Sequence, residues 1–170
     1  EYLADDDNHA IEITRDIVEK LDWNSKCEKP KDLSFSKPIY DESEIAGIVP
    51  VDYRTPYEVR ELIARIVDGS DFIDFKPMYG VSTVCIQAKI YGQSCGIIGN
   101  NGPIDPNGAT KTAQFIQLCG QSKIPLIFFS NTTGFMVGKQ YEQLGMIKHG
   151  SKMIQAVSNV DVPKITFYIG

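Results

Sequence analysis

The sequence predicts an α/β fold whose strands are mostly buried. Two observations carry this. Strand-like apolar runs ("STVCIQAKI", "CGIIG", "IPLIFF", "PKITFYIG") are interleaved with segments of helical period. The run "IPLIFF" is continuously apolar, as a strand covered on both faces should be. Composition agrees: 170 residues, 42% hydrophobic and 23% charged, enough chain for one core.

Taken in order, residues 8–22 place Ile11, Ile17, Val18 and Leu21 along one helical face, with Asn8 as the cap. "NSKCEKPKDLSFSKPIYDESE" is polar, has two prolines and no steady period, and reads as an extended linker. The chain divides near Val49–Pro50. "TPYEVRELIARIVDGS" reads as a helix with Thr55 as N-cap, Pro56 at its first position and Glu58 closing a capping box. Val59, Leu62, Ile63, Ile66 and Val67 form its buried stripe, and Gly69 ends it. "STVCIQAKI" alternates on Val84, Ile86, Ala88 and Ile90, a strand with one covered face, and "YGQS" turns it into the shorter strand "CGIIG". A helix at 109–121, a strand at 124–129, a helical region at about 137–158 broken near His149–Gly150, and the strand "PKITFYIG" complete the order.

Several function classes are excluded or weakened. No apolar run is long enough to span a bilayer. The first residues, "EYLADDDNHA", are acidic and do not read as a signal peptide. The net charge of −5 comes with no basic stripe, so no nucleic-acid surface is expected. Cys27, Cys85, Cys95 and Cys119 lack CxxC spacing and read as buried free thiols in a reducing compartment; no metal site is expected. "GQSCG" matches the nucleophile-elbow pattern, but Ser94 lies in a hairpin turn rather than at a strand-to-helix turn. His9 and His149 read as surface or helix-end residues, and Asp105 and Asp161 as loop residues without sequence neighbours to act with.

What remains is glycine and backbone. Gly99-Asn100-Asn101-Gly102 ends one strand, and Thr132-Thr133-Gly134-Phe135 ends another and opens a helix. Such loops offer unpaired N–H groups that a ligand can approach closely. Side by side they can form an oxyanion hole that stabilises an enolate without a titrating side chain. The plainer reading, two turns chosen for positive φ, stays open on pattern alone.

At these residues the chain closely resembles a known family. "TPYEVRELIARIVDGSDFIDFKPMYG", "CGIIGNNGPI", "TAQFIQLCGQSKIPLIFFSNTTGFMVGKQYEQLGMIKHGSKMIQAV" and "VPKITFYIG" resemble the carboxyltransferase β subunit of biotin-dependent acyl-CoA carboxylases, in the methylcrotonyl-CoA and geranyl-CoA branch. "GPIDPNGATKTAQF" is nearer the geranyl-CoA type. The resemblance implies an incomplete crotonase-like (ClpP/crotonase) ββα superhelix. Residues 1–47 would be the end of the N-terminal domain and the linker, and 48–170 the first half of the C-terminal, biotin-side domain. It also implies a reaction in which carboxybiotin, carried on a domain of a partner subunit, gives up CO2 and its ureido nitrogen takes the substrate proton. The protein then need only hold two oxyanions. By the same resemblance Gly134 and Phe135 are the catalytic candidates. Thr133, Gly134, Phe135 and Met136 line the biotin side, joined by Gly99, Asn100 and Asn101.

The implied partners are a biotin carboxylase and carrier α subunit, the acyl-CoA, and further β subunits in a homo-oligomer, a hexamer in this family. The expected location is cytoplasmic in a bacterium and the mitochondrial matrix in a eukaryote. The family's glycine-alanine loop beyond "VPKITFYIG" and its CoA-binding domain are not in these 170 residues, so the isolated chain is expected to be inactive. Two alternatives stand beside this reading: a stand-alone crotonase-like hydratase or isomerase, and a non-catalytic assembly module.

Overall fold

A computed structural model describes residues 2–22, 34–52, 55–131 and 134–169. Two compact units divide at Leu33–Ser34. The first holds helix α1, Asp7–Lys20. Its cap is Asp6 rather than the expected Asn8: Asp6 is extended, and its Oδ1 accepts the His9 N–H at 2.8 Å. A carboxylate at the positive end of the helix is favoured there, and Asn8 already lies in the first turn. Ile11, Ile17, Val18 and Leu21 are exposed. Cys27 and linker residues 23–33 lie outside the described residues.

The second unit begins at Ser34, so residues 34–48 belong with it. They hold a 3-10 turn, Glu42–Glu44, and the short helix α2, Ile45–Ile48. Helix α3 spans Val59–Ala64, which corrects the expected start at Thr55. The start is set by two side-chain acceptors. Glu58 takes the Arg60 N–H at 3.2 Å, and Asn101 Oδ1 takes the Val59 N–H at 2.9 Å. The helix also stops before Gly69, which sits in a 3-10 turn at φ 61°. The expected stripe holds: Val59, Leu62, Ile63 and Val67 are buried, with Ile66 packed beside them.

Five strands form one sheet in the order β1 (Phe72–Asp74), β2 (Thr83–Ile90), β3 (Gln93–Asn100), β4 (Leu126–Ser130) and β5 (Lys164–Tyr168). β1–β2 and β2–β3 are antiparallel; β3–β4 and β4–β5 are parallel. β1 is too short to show a period in sequence. The β2–β3 turn is only Tyr91–Gly92, both at positive φ (50° and 75°), the twist that a two-residue hairpin requires. The Asp68 carboxylate accepts both of their N–H groups, at 2.8 and 2.6 Å. β3 is therefore longer than expected, and Ser94 lies within it, exposed, rather than in the turn. The first four residues of β2 are buried on both faces, correcting the one-sided expectation.

The second face explains that burial. Helix α4 spans Pro106–Gln121, α5 Lys139–Gln143 and α6 Met146–Asn159. α4 starts three residues earlier than expected because Asp105 caps it, accepting the Gly108 N–H at 2.6 Å, with Pro106 at its first position. The break between α5 and α6 falls at Leu144–Gly145, with Gly145 at φ 84°, so His149–Gly150 is interior to α6. α3 packs with Val84, Ile86, Cys95, Ile97 and Phe129 on one face of the sheet. α4 and α6 pack with Cys85, Ile98 and Leu126 on the other. In β4, Phe129 is buried while Ile127 and Phe128 are half-buried. Cys85, Cys95 and Cys119 are free and buried, as the spacing implied. Burial pushes their thiols up to about 12, about 11 and about 11, respectively.

Candidate functional site

The two loops singled out in the sequence lie at the carboxyl ends of neighbouring parallel strands. The β3–β4 ladder ends at Gly99↔Phe129. The Asn100 side chain then continues it. Its Oδ1 accepts the Asn131 N–H at 3.0 Å, and its Nδ2 donates to Asn131 O at 2.7 Å and to Gly102 O at 3.0 Å. Farther out the backbones meet again at Ile104↔Phe135, where the Ile104 N–H donates to Gly134 O and the Met136 N–H to Ile104 O, both at 2.9 Å. Residues 101–103 therefore bow out between two pinned points, and on the β4 side the chain is pinned at Asn131 and again at Gly134–Met136.

Gly134 has φ 70°, and a Cβ placed on it would meet nothing within 4 Å among the described residues. The space before it is open. Among the described residues no hydrogen bond takes up the N–H of Gly134 or Phe135, whereas that of Met136 is committed to Ile104. These donors do not belong to a helix start, as the sequence had suggested. α5 begins only at Lys139, and the donors are unpaired because the chain has left the ladder. The exposed Phe135 ring rests on α6, where a Cβ at Gly150 would stand 3.7 Å from its edge. Thr132 and Thr133 lie outside the described residues.

The β3 end serves the frame. Gly99 faces α3, where a Cβ would come within 3.0 Å of Val59 Cγ2, so the small residue permits helix and sheet to close. The Asn100 amide joins the loops, and the Asn101 side-chain oxygen Oδ1 caps α3. The loop residues 131 and 134–138 carry no titrating side chain. Asp105 is occupied as a helix cap, and Asp161 is exposed. Sequence placed His149 at a surface or helix end. Inside α6 it is half-buried, with Nδ1 2.9 Å from Thr110 Oγ1. His9 is on α1, 3.3 Å from Asp5. Among the described residues no three His, Cys, Asp or Glu side chains gather as a metal site. A groove of about 780 Å³ between α4 and α6, lined by Gln114, Gln117, Lys152, Gln155 and Asn159 among others, includes none of the loop residues.

One supporting residue was missed. Lys111, in α4, is fully buried, and its Nζ donates to Thr83 O at 2.7 Å, Tyr79 O at 3.0 Å and Gly80 O at 3.5 Å. Loss of hydration draws its pKa below the usual lysine value. It staples the segment before β2 to α4, and that segment in turn accepts the Asn101 N–H on Ser82 O at 2.8 Å. A lysine in an amphipathic helix reads as solvated. The one local hint was its place in "GATKTAQF", amid small residues that leave room for close packing.

The carboxyl transferase domain family matches across residues 1–170. The β subunit of P. aeruginosa geranyl-CoA carboxylase, a crystal structure, is 54% identical with a TM-score of 0.78, covering 98% of this chain and 32% of that one. The mitochondrial methylcrotonoyl-CoA carboxylase β chain of Arabidopsis thaliana is 47% identical over 175 residues, covering 100% of this chain and 30% of its own length. A probable biotin-dependent acyl-coenzyme A carboxylase β2 subunit of Mycobacterium tuberculosis is 48% identical over 171 residues, with 100% and 32% covered. The chain thus spans about a third of the length of these relatives. Its mixed sheet is that of the crotonase-like carboxyltransferases. On the match over all of its residues, this chain belongs to the carboxyl transferase domain family.

Proposed function

We propose that this chain forms the biotin side of a carboxyltransferase that moves a carboxyl group between biotin and a branched enoyl-CoA of the methylcrotonyl or geranyl type. The observation that carries the reading is the Gly134 turn. It sits at the carboxyl end of a buried parallel strand, at positive φ, with open space in front and with two N–H groups that no described residue engages. Carboxybiotin, when bound, supplies both the carboxyl group and the base. The protein's own task is then to present donors to a developing oxyanion, which a loop without acid or base can do. The Gly134 and Phe135 amides are the donors in this reading. Thr133, Phe135 and Met136 form the lining, and Gly99, Asn100 and Asn101 build the wall behind it. A hydratase or isomerase would want a carboxylate at the hole, and Asp105 is held as a helix cap.

The partners proposed are a biotin-carrying subunit, the acyl-CoA held by another domain, and further copies of the same subunit. The location proposed is the cytoplasm in a bacterium and the mitochondrial matrix in a eukaryote. The test is Gly134→Val in the full-length subunit. Carboxyl transfer to free biotin is expected to fall roughly 10²–10³-fold with acyl-CoA affinity nearly kept, while the strain of a β-branched residue at φ 70° lowers the melting temperature modestly, too little to account for the lost rate. A folded, fully active variant refutes the assignment.

A further inference from the structure

We infer that Asn100 is a positioning residue: its side-chain amide fixes the Gly134 turn against the loop that leaves β3. The inference rests on the biotin-side reading of that turn. A primary amide offers an acceptor oxygen and two donor hydrogens; the oxygen and one hydrogen reach across the gap to Asn131, and the other hydrogen ties down the β3 loop at Gly102. The backbone of Asn131 is met in both directions, N–H to Oδ1 and O to Nδ2, as another strand would meet it, while Gly102 O takes the second donation. The amide is 8% exposed, so these bonds are little contested by water. It stands where the ladder stops at Gly99↔Phe129, and the backbone pairing resumes only at Ile104↔Phe135. Among the described residues the two loops are pinned at Asn100–Asn131 and at Ile104–Phe135. With the Asn100 amide removed, Asn131 loses its tie to the β3 loop, the Gly134 turn keeps the Ile104 bridge as its described link to that loop, and the Gly134 and Phe135 amides are free to shift. A displacement of about 1 Å in a reacting arrangement can cost on the order of 10²-fold in rate.

No contact between Asn100 and a ligand is needed for this. The inference therefore separates its side chain from the groups that would touch biotin. Two substitutions probe it in the full-length subunit. Asn100→Ala deletes the bonds to Asn131 and Gly102. Asn100→Asp keeps size and shape but sets a carboxylate oxygen against the carbonyls of Gly102 and Asn131, and it decides the matter if the alanine variant does not fold.

The measurements are kcat for carboxyl transfer to free biotin, KM for the acyl-CoA, melting temperature, and hydrogen exchange in peptides covering 101–104 and 131–138. The expected result has four parts: kcat lower by roughly 10–100-fold, KM for the acyl-CoA within about twofold, exchange faster in both peptides, and melting near that of the parent. Unchanged exchange overturns the clamp, whatever the kinetics. Faster exchange with parental kcat overturns the positioning role. A kcat loss that only tracks a loss of melting temperature overturns it in favour of plain stability. The Gly134→Val enzyme run beside them distinguishes the two levels. If it retains full activity the biotin-side reading fails, and the exchange data still decide whether Asn100 holds the loops together.

Discussion

Replacing Lys111 by Met sets two large effects against each other. Met keeps the unbranched stem and most of the volume, so packing changes little. Gone are the donations to Thr83 O at 2.7 Å, Tyr79 O at 3.0 Å and Gly80 O at 3.5 Å. Gly80 O also accepts the Thr83 N–H at 3.0 Å and keeps that partner, so two carbonyls bear the loss. A buried acceptor stripped of its partner costs about 1–3 kcal/mol, giving roughly 2–6 kcal/mol for the pair. Against this stands relief from desolvating an ammonium, several kcal/mol when the ion is poorly solvated by protein. Here three carbonyls replace much of the lost water, so the relief is partial. We expect a net destabilisation of about 2–4 kcal/mol. Urea unfolding of the two proteins at pH 7, with equal m values, measures it. A Lys111→Met protein as stable as the parent, or more so, would show that desolvation dominates and would refute the staple.

Three further outcomes are expected. Gly80→Ala should cost about 3 kcal/mol, because φ is 54° and the new Cβ would lie 2.6 Å from Gly108 N, whereas Gly102→Ala, with nothing within 4 Å, should stay within about 0.5 kcal/mol; denaturant midpoints compare them. Phe129→Ala should cost about 3–5 kcal/mol and more than Phe128→Ala, since Phe129 is 6% exposed and stacks near Phe167 while Phe128 is half-buried; equal costs would mean that β4 is misfaced. Stability should fall at alkaline pH. The three thiols ionise from 9.0 in the unfolded chain but at about 11 to 12 when folded, so their contribution is complete below pH 9.0 and is lost as pH rises, by about 1.4 kcal/mol per unit and thiol. Lys111 acts in the opposite sense below 10.5, since its folded pKa is lowered and the cost of keeping it charged is relieved as pH rises. Lys111→Met should therefore lose stability more steeply over that window; a parallel profile would show that Lys111 titrates normally.

The layered α/β order was legible because strands and helices here announce themselves by apolar period, and the α3 stripe needs only that period to be read. Helix starts were less legible. At α1 and α3 the sequence pointed to an amide or hydroxyl residue, Asn8 or Thr55, while the chain uses the carboxylates of Asp6 and Glu58. The α3 start also depends on Asn101, 42 residues away, which no local pattern contains. Strand β1 is too short to have a period. At the candidate site, Gly134 was found because glycine marks positive φ. The source of its free donors was misread because the resumption of pairing at Ile104↔Phe135 is a tertiary event. The same is true of Asn100 and Lys111, whose partners come from other segments.

The Asp68 carboxylate that holds Tyr91 and Gly92 has a consequence for the whole sheet. Side chains alternate along a strand, so the hairpin turn decides odd from even. Were β3 to slide by one place against β2, Cys95, Ile97 and Gly99 would exchange sides with Gly96, Ile98 and Asn100. Glycines would then face open core and the Asn100 amide would face α3. An error at the tip would be read out some 25 Å away, roughly eight residues at strand rise, as a disassembled pair of loops. Asp68 anchors that tip from outside the hairpin. It works as a parity check on the sheet, performed at the end opposite the candidate loops.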